Sequence, residues 1–190
     1  MTLFDRQTLI EAVLYILNAT KGIDFYHVFK ILYFAEQKHL VKWGTRITAD
    51  NFRAYDYGPV PDNLYDAVKA KRQGTSNIGR GKHLLSGMFD DAVSFAGEDA
   101  PNVMLAKRNA NLDYLSESDI QCLDESIKEN AHLTFNQLIE KSHDSAWQEA
   151  RDKKDKEGDV INPLSIARAA GASDDMIEYI SEQTEDLVLA

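Results

Sequence analysis

The sequence predicts a mainly α-helical protein, a single compact helical domain with one small β element around residues 46–57. Apolar residues recur at helical spacing along most of the chain, and the segment after Asp24 is apolar on almost every side. β-branched and aromatic residues gather between Ile47 and Tyr57, where they favour extended backbone. A helix that is apolar all round belongs in the middle of a domain or in a membrane. Charged residues interrupt this one, so we place it at the domain centre.

In the first half of the chain, caps and breakers set the expected helix boundaries. A first helix is predicted over about residues 5–18. Asp24 is a good N-cap for a second helix that runs to about residue 42. A third helix is expected over 61–72, and the glycines within residues 73–82 then predict a flexible loop.

The second half of the chain predicts more helices and one ambiguous region. Residues 83–102 fit a helix, or strands around Phe95 and Val103. The polar stretch 151–159 is typical of an exposed linker or a helix end. We therefore divide the chain into a domain over 1–155 and a helical extension over 156–190, packed on the domain or appended to it. Caps, or a proline in the first turn, predict four further helix starts: Ser116 with Asp119, Thr134, Asn162 with Pro163, and Ser173 with Asp174.

Composition narrows the functional classes. The chain has 190 residues, of which 44% are hydrophobic and 27% charged, an ordinary globular balance. It has no apolar run of membrane-spanning length and no secretion signal at its start, and Cys122 is its one cysteine, so we expect a cytoplasmic protein with no membrane partner. The net charge of −10 makes nucleic acid an unlikely partner, since such binding depends on neutralising phosphates.

Searches for catalytic and metal-binding patterns predict no catalytic residues, no metal site and no cofactor. Gly79-Arg80-Gly81-Lys82 lacks the earlier glycine and the following Ser or Thr of a phosphate loop. The five histidines show no zinc-ligand spacing. Cys122 lies on the apolar face of a predicted helix and is expected to be a small buried residue rather than a nucleophile.

Two segments are candidates for partner contact. Ser142-His143-Asp144 is too local to form a hydrolase triad. We expect Ser142 or Asp144 to cap a helix, Trp147 to pack against the core one turn later, and His143 to hold the junction by a hydrogen bond. Partner contact by His143 and Trp147 is the alternative.

The second segment runs from Tyr55 to Tyr65. Rigid turns flanked by tyrosine are typical of interfaces, because tyrosine offers a large area at little entropic cost. They are also ordinary packing corners, and the sequence leaves both interpretations open. The candidate contact residues here are Tyr55, Tyr57, Pro59, Val60 and Tyr65.

Taken in order, these elements resemble the SocA-like antitoxins built on the Panacea domain. The resemblance covers about residues 22–147, and the order and spacing of its parts are more specific than any one part. It rests on Lys30-Ile-Leu-Tyr-Phe-Ala35, His39-Leu40, Gly44 followed by Ile47 and Phe52-Arg-Ala-Tyr55, Tyr57-Gly-Pro-Val60, Leu64-Tyr65, Leu115-Ser116, and Ser142-His143 with Trp147.

The resemblance implies a bacterial or prophage protein that binds a toxin encoded beside it and is not an enzyme. The expected partner is a cognate protein toxin, met by the Tyr and Pro elements and by the acidic C-terminal half. The alternative is a proteolytic adaptor or phage-encoded interaction module, whose partner is a bacterial protease or its unfoldase. A homo-oligomer stays open.

Overall fold

The computed structural model describes residues 1–74, 83–157 and 159–189 and is mainly helical, as the sequence predicts. Within these residues, nine α-helices and a short 3₁₀ helix (Leu112–Tyr114) surround two small antiparallel sheets. The helices are α1 (Leu3–Thr20), α2 (Phe25–Trp43), α3 (Asp62–Gln73), α4 (His83–Ala92), α5 (Glu117–Asn130), α6 (Phe135–Ser142), α7 (Ser145–Glu157), α8 (Pro163–Ala169) and α9 (Asp174–Leu189). The strands are β1 (Ile23–Asp24), β2 (Phe52–Tyr55), β3 (Gly58–Pro61), β4 (Val93–Phe95) and β5 (Val103–Ala106).

Helix α2 lies at the centre of the fold, as predicted. Val28 and Tyr33, which lie on different sides of it, have no exposed surface, and even Lys30 and Glu36 are buried. Helices α1, α5, α6 and α8 all contact it. Over the described ranges, neither this helix nor any other combines the length and hydropathy needed to cross a bilayer.

Local capping explains why the helices begin where the sequence predicts. The Asp24 side chain accepts a hydrogen bond from the His27 amide at the start of α2. Capping boxes open α5 at Ser116 and α6 at Thr134, and Asn162 caps α8 ahead of its first-turn proline. Helix α1 begins earlier than expected because Thr2 forms a capping box of its own.

The β element is a hairpin of β2 and β3 over residues 52–61, which shifts it from the predicted range of 46–57. Phe52 pairs with Pro61 and Tyr55 with Gly58. Residues 46–51 form a loop because their polar groups are held by side chains from elsewhere. The Glu36 carboxylate accepts hydrogen bonds from the Ile47 and Thr48 amides at 2.8 Å each, and from the Thr48 hydroxyl at 2.6 Å.

The same loop caps the next helix. Pro61 precedes α3 and offers no side-chain cap. Instead, the buried Asp50 carboxylate accepts from the Asn63 amide at 3.0 Å and from the Leu64 amide at 2.9 Å. Burial raises the pKa of Asp50, and these donors oppose that rise. The loop therefore joins α2 to the start of α3 through two buried carboxylates.

The ambiguous region after residue 82 contains both structures that the sequence suggested. Helix α4 passes directly into β4, which pairs with β5. Strand β5 also pairs with the two-residue β1, giving a sheet in the order β1-β5-β4. The sequence showed no sign of β1, because two residues are too few for a periodic pattern.

Described residues between 159 and 180 pack against the rest of the protein. Val160 forms an isolated bridge with Arg53, and the Ile161 amide donates to the Phe52 carbonyl. Ile166 and Ile180 belong to the main hydrophobic core. The stretch 151–157 continues α7, so it is a helix end and not a linker. The division of the chain at residues 155/156 stays a prediction.

Part of the predicted loop over 73–82 can be compared with the structure. Gln73 ends α3, and Gly74 caps it in the left-handed conformation, with φ of +60°. The Gly79-Arg80-Gly81-Lys82 motif lies outside the described residues.

Glu36→Gln tests whether the loop depends on this carboxylate. The glutamine side chain has one acceptor oxygen instead of two, and its NH₂ group would face the backbone N–H donors of the loop. We therefore expect a loss of about 1–3 kcal/mol in the free energy of unfolding, measured by urea denaturation.

Glu129→Gln is the control. Its carboxylate is half exposed and pairs with Lys38 and Lys141, so this change should cost less than about 1 kcal/mol. Equal losses in the two variants would show that the loop does not rely on Glu36.

Candidate functional site

A cleft of about 440 Å³ opens between the hairpin, α2, α3 and α7, and aromatic side chains form most of its wall. Concave sites with apolar walls and a few converging polar groups are the usual form of a binding site. The residues that line it are Tyr26, Phe29, Lys30, Tyr55, Asp56, Tyr57, Val60, Tyr65 and Arg151.

The aromatic wall is held in place by ring contacts. Tyr65 packs edge-on against both Tyr55 and Phe29, with centroid distances of 5.7 and 5.9 Å. Tyr57 lies at the tip of the hairpin, 60% exposed, with one face near Phe135. The wall is thus a supported surface with one ring turned to solvent, which is the form that binding anchors take.

Lys30 places a buried ammonium group at this cleft. Its residue is 3% exposed, and its Nζ donates to the Pro59 carbonyl at 2.8 Å. Burial lowers the pKa of Lys30 to about 7, although the charge of Asp144 acts in the opposite direction. Near neutral pH this lysine therefore exists in both protonation states.

Gly58 makes room for the ammonium. Its φ is +94°, and a Cβ atom there would lie 2.5 Å from Lys30 Nζ and 2.5 Å from Ser142 Oγ. No larger residue fits without moving the lysine or the start of the hairpin's second strand.

Helix α7 supports the cleft from behind. Trp147 donates from Nε1 to the Tyr55 carbonyl at 2.9 Å. The His143 ring stacks on Trp147 at a centroid distance of 3.7 Å with 3° between the planes. Arg151 donates to the Ala54 carbonyl and pairs with the Asp56 carboxylate at 2.8 Å. The hairpin's position therefore depends on this helix.

The junction around residue 143 is a structural corner. The Asp144 carboxylate accepts from the Trp147 amide, capping α7, and also from the Tyr33 hydroxyl of α2. Ser142 donates to the Ile139 carbonyl. Burial and the charge of Lys30 lower the pKa of His143, while a hydrogen bond with the Asp56 backbone opposes this shift. Ser142, His143 and Asp144 thus have separate partners and form no proton relay.

The remaining reactive groups offer little chemistry. Cys122 is fully buried, and burial raises the pKa of its thiol to about 11, so the thiol stays protonated at neutral pH. Among the described residues, no group of three or more His, Cys, Asp or Glu side chains is arranged to hold a metal ion.

The structure brings most of the predicted contact residues together. Four of them line the cleft directly, namely Tyr55, Tyr57, Val60 and Tyr65. Pro59, His143 and Trp147 lie behind it, where each supports a lining residue. Whether any of the seven contacts a partner stays a prediction.

Sequence reasoning missed the other lining residues. Tyr26, Phe29 and Lys30 lie on one face of α2 within a single turn, and the lysine that interrupts an apolar helix was the available signal. Arg151 follows Trp147 by one helical turn, but the polar stretch around it gave no reason to expect a buried contact.

Comparison with known proteins gives one match. A family model described as "Antitoxin SocA-like, Panacea domain" matches residues 28–148, which is more than half of the chain and includes every residue lining the cleft except Tyr26 and Arg151. No match was found among curated proteins or among solved structures.

Lys30→Met tests the burial of the ammonium through the pH dependence of stability. The pKa of Lys30 is lowered in the folded state, so the unfolded chain binds the extra proton between about pH 7 and 10.5. Wild-type stability should therefore rise with pH across that window. Below the window Lys30 is charged in the folded protein too, and the full cost of burying that charge lowers the free energy of unfolding. Replacing Lys30 by methionine should therefore stabilise the protein more at pH 6.5 than at pH 9.5. The free energy of unfolding of the variant minus that of wild type should be larger at pH 6.5 by on the order of 2–4 kcal/mol.

Lys38→Met on the same helix is the control, because its partly exposed ammonium pairs with Glu129 at 2.7 Å. Urea denaturation at both pH values measures the difference. If the free energy of unfolding changes with pH by the same amount in the two variants, the pKa of Lys30 is not lowered by burial.

Trp147→Ala tests the support that α7 gives the hairpin. The change removes a half-buried ring, its hydrogen bond to Tyr55 and the surface on which His143 stacks. We expect a loss of about 2–4 kcal/mol in the free energy of unfolding. Trp43→Ala changes the other tryptophan, which is 37% exposed, and should cost less than half as much. An unfolding midpoint unchanged by Trp147→Ala would contradict this role.

Proposed function

Because this chain belongs to the family of SocA-like antitoxins with the Panacea domain, we propose that it neutralises a cognate protein toxin by binding it directly, without catalysing a reaction. The toxin binds at the aromatic cleft. The observation that carries this proposal is a supported wall of aromatic rings, ending in the exposed Tyr57, within the region that matches the family.

Several features support binding at this surface. Interfaces of ordinary size obtain most of their affinity from a few aromatic and arginine anchors, and the cleft supplies both kinds of side chain. Its rings are already held by neighbours, so little conformational freedom is lost when a partner binds. Tyr57 and Tyr65 are the proposed anchors, and Val60 completes the apolar surface.

The acidic C-terminal helix is a second proposed contact. The segment from Ala172 to Ala190 contains six acidic residues and no Lys or Arg. Met176 and Ile177 of α9 pack against the core, which anchors the part of the helix that carries Asp174, Asp175, Glu178 and Glu182. A basic surface on the toxin is the complement that this charge favours.

We further propose that the protein acts in the cytoplasm, where its toxin is made. The adaptor alternative keeps the same docking step and adds delivery of the toxin to a protease. The lifetime of the toxin in cells separates the two, since simple blocking leaves the toxin intact and delivery shortens its lifetime.

Tyr57→Ala should weaken toxin binding while leaving the fold intact, because the ring is 60% exposed and packs on one side only. We expect a loss of about 2 kcal/mol in binding, or roughly 30-fold in Kd, and reduced rescue of growth when the adjacent reading frame is co-expressed. Calorimetry with the purified product of that frame measures the affinity.

Phe4→Ala is the matched control, since Phe4 is 61% exposed and lies on α1, outside the residues that line the cleft. Its Kd should stay within about twofold of wild type. If Tyr57→Ala binds as tightly as wild type, the toxin docks elsewhere. If the wild-type chain gives no rescue and no binding, the antitoxin assignment itself fails.

A further inference from the structure

We infer that the aromatic cleft receives an acidic side chain of the toxin, flanked by apolar residues, and that Lys30 binds its carboxylate. This inference rests on the proposed docking of a toxin at the cleft and specifies the chemistry that the cleft recognises. It assigns Lys30 a role in binding in addition to its role in holding the hairpin.

The first argument is the hydrogen-bonding capacity of Lys30. An ammonium group has three donors. Among the described residues, the one hydrogen bond that it makes goes to the Pro59 carbonyl, a neutral acceptor. No carboxylate of the described chain lies within ion-pair distance of its nitrogen, although the charge of Asp144 is felt there. The lysine therefore retains donors for an anion that enters the cleft.

The second argument is the charge balance of the lining. The cleft has two cationic residues, Lys30 and Arg151, and one acidic residue, Asp56. Asp56 is already paired with Arg151 at 2.8 Å, and its side chain is 77% exposed, at the solvent side. Lys30 is thus a buried positive group with no ion-pair partner among the residues that line the cleft. The complementary ligand is an anion on an apolar support.

The third argument is the strength of such a pair in this setting. A hydrogen bond between an ammonium and a carboxylate is stronger than one between neutral groups, and its strength rises where water is excluded. A carboxylate would also favour the protonated lysine, whose pKa burial has lowered to about 7. The titratable and charged groups near the lysine are Asp144, His143, Arg151 and Asp56.

The aromatic wall explains why the carboxylate should sit among apolar residues. Tyr26, Phe29 and Tyr65 line the same cleft as Lys30. A carboxylate on a fully polar segment would leave this surface wet, whereas an apolar flank would cover it. The charge of Lys30 and the apolar area of the rings thus both favour a toxin segment that carries a carboxylate between apolar residues.

Phenylacetate is the probe, because it carries one carboxylate on one ring, and phenylacetamide is its neutral counterpart of the same shape. Two-dimensional NMR of the full ¹⁵N-labelled chain at pH 6.5 follows the amides of Tyr55, Tyr57 and Tyr65 during titration. We expect the acid to bind at least tenfold more tightly than the amide. Lys30→Met should reduce the affinity for the acid to that for the amide, and Lys38→Met should leave it unchanged.

The outcomes separate this inference from the proposed function. If phenylacetate and phenylacetamide bind equally, or if neither perturbs the cleft, the carboxylate assignment is wrong. This comparison uses the wild-type protein, so it does not depend on whether a variant folds. If the toxin binds but leaves the acid's affinity for the cleft unchanged, the toxin does not supply the carboxylate, which also overturns the inference. Loss of the acid's binding in the toxin complex supports it. Failure of growth rescue, with the probe still discriminated, would count against the antitoxin role and not against the anion site.

Discussion

The fold depends on one constraint, the burial of helix α2 around most of its circumference. The buried polar side chains of such a helix are out of reach of water, so each must be satisfied by groups inside the protein. Lys30 donates to the Pro59 carbonyl, Glu36 accepts from the amides of residues 47 and 48, and His39 contacts the Thr45 carbonyl at 2.8 Å. All three partners lie in the segment that follows the helix. The central helix therefore fixes the path of the chain that builds the cleft.

Local signals predicted the helices well because capping is a local interaction. Asp24, Ser116 and Thr134 each bond an amide three residues away, so their effect is visible in the sequence. The β element was misplaced for the opposite reason. Ile47 and Thr48 have strand-forming side chains, but their amides are taken by Glu36, eleven or twelve residues earlier in the chain. No pattern of propensity reveals such a partner.

The candidate site was predicted in part. Its local features were visible in the sequence, and its contacts between distant residues were not. Tyr55, Tyr57 and Tyr65 stand out because they surround a glycine and two prolines within one short segment. In the sequence, Lys30 is a charged interruption of an apolar helix and the first residue of a stretch that resembles the family, and neither feature indicates a cleft. Its place in the cleft becomes apparent once Gly58 is brought back against α2, a contact between residues 28 positions apart.

The buried ammonium is easier to understand as part of a binding site than as a stabilising contact. Taking a charge out of water is unfavourable, and well-packed apolar replacements of buried charges are often neutral or stabilising. One hydrogen bond from an ammonium to a carbonyl contributes about 1.5–3 kcal/mol, which is less than the several kcal/mol that desolvating the charge costs. The unfavourable term falls when an anion enters, because the charge then has a partner in the same dry setting. A residue that weakens the free protein and gains a partner in the complex makes binding more favourable, which is what the proposed binding of a toxin would require.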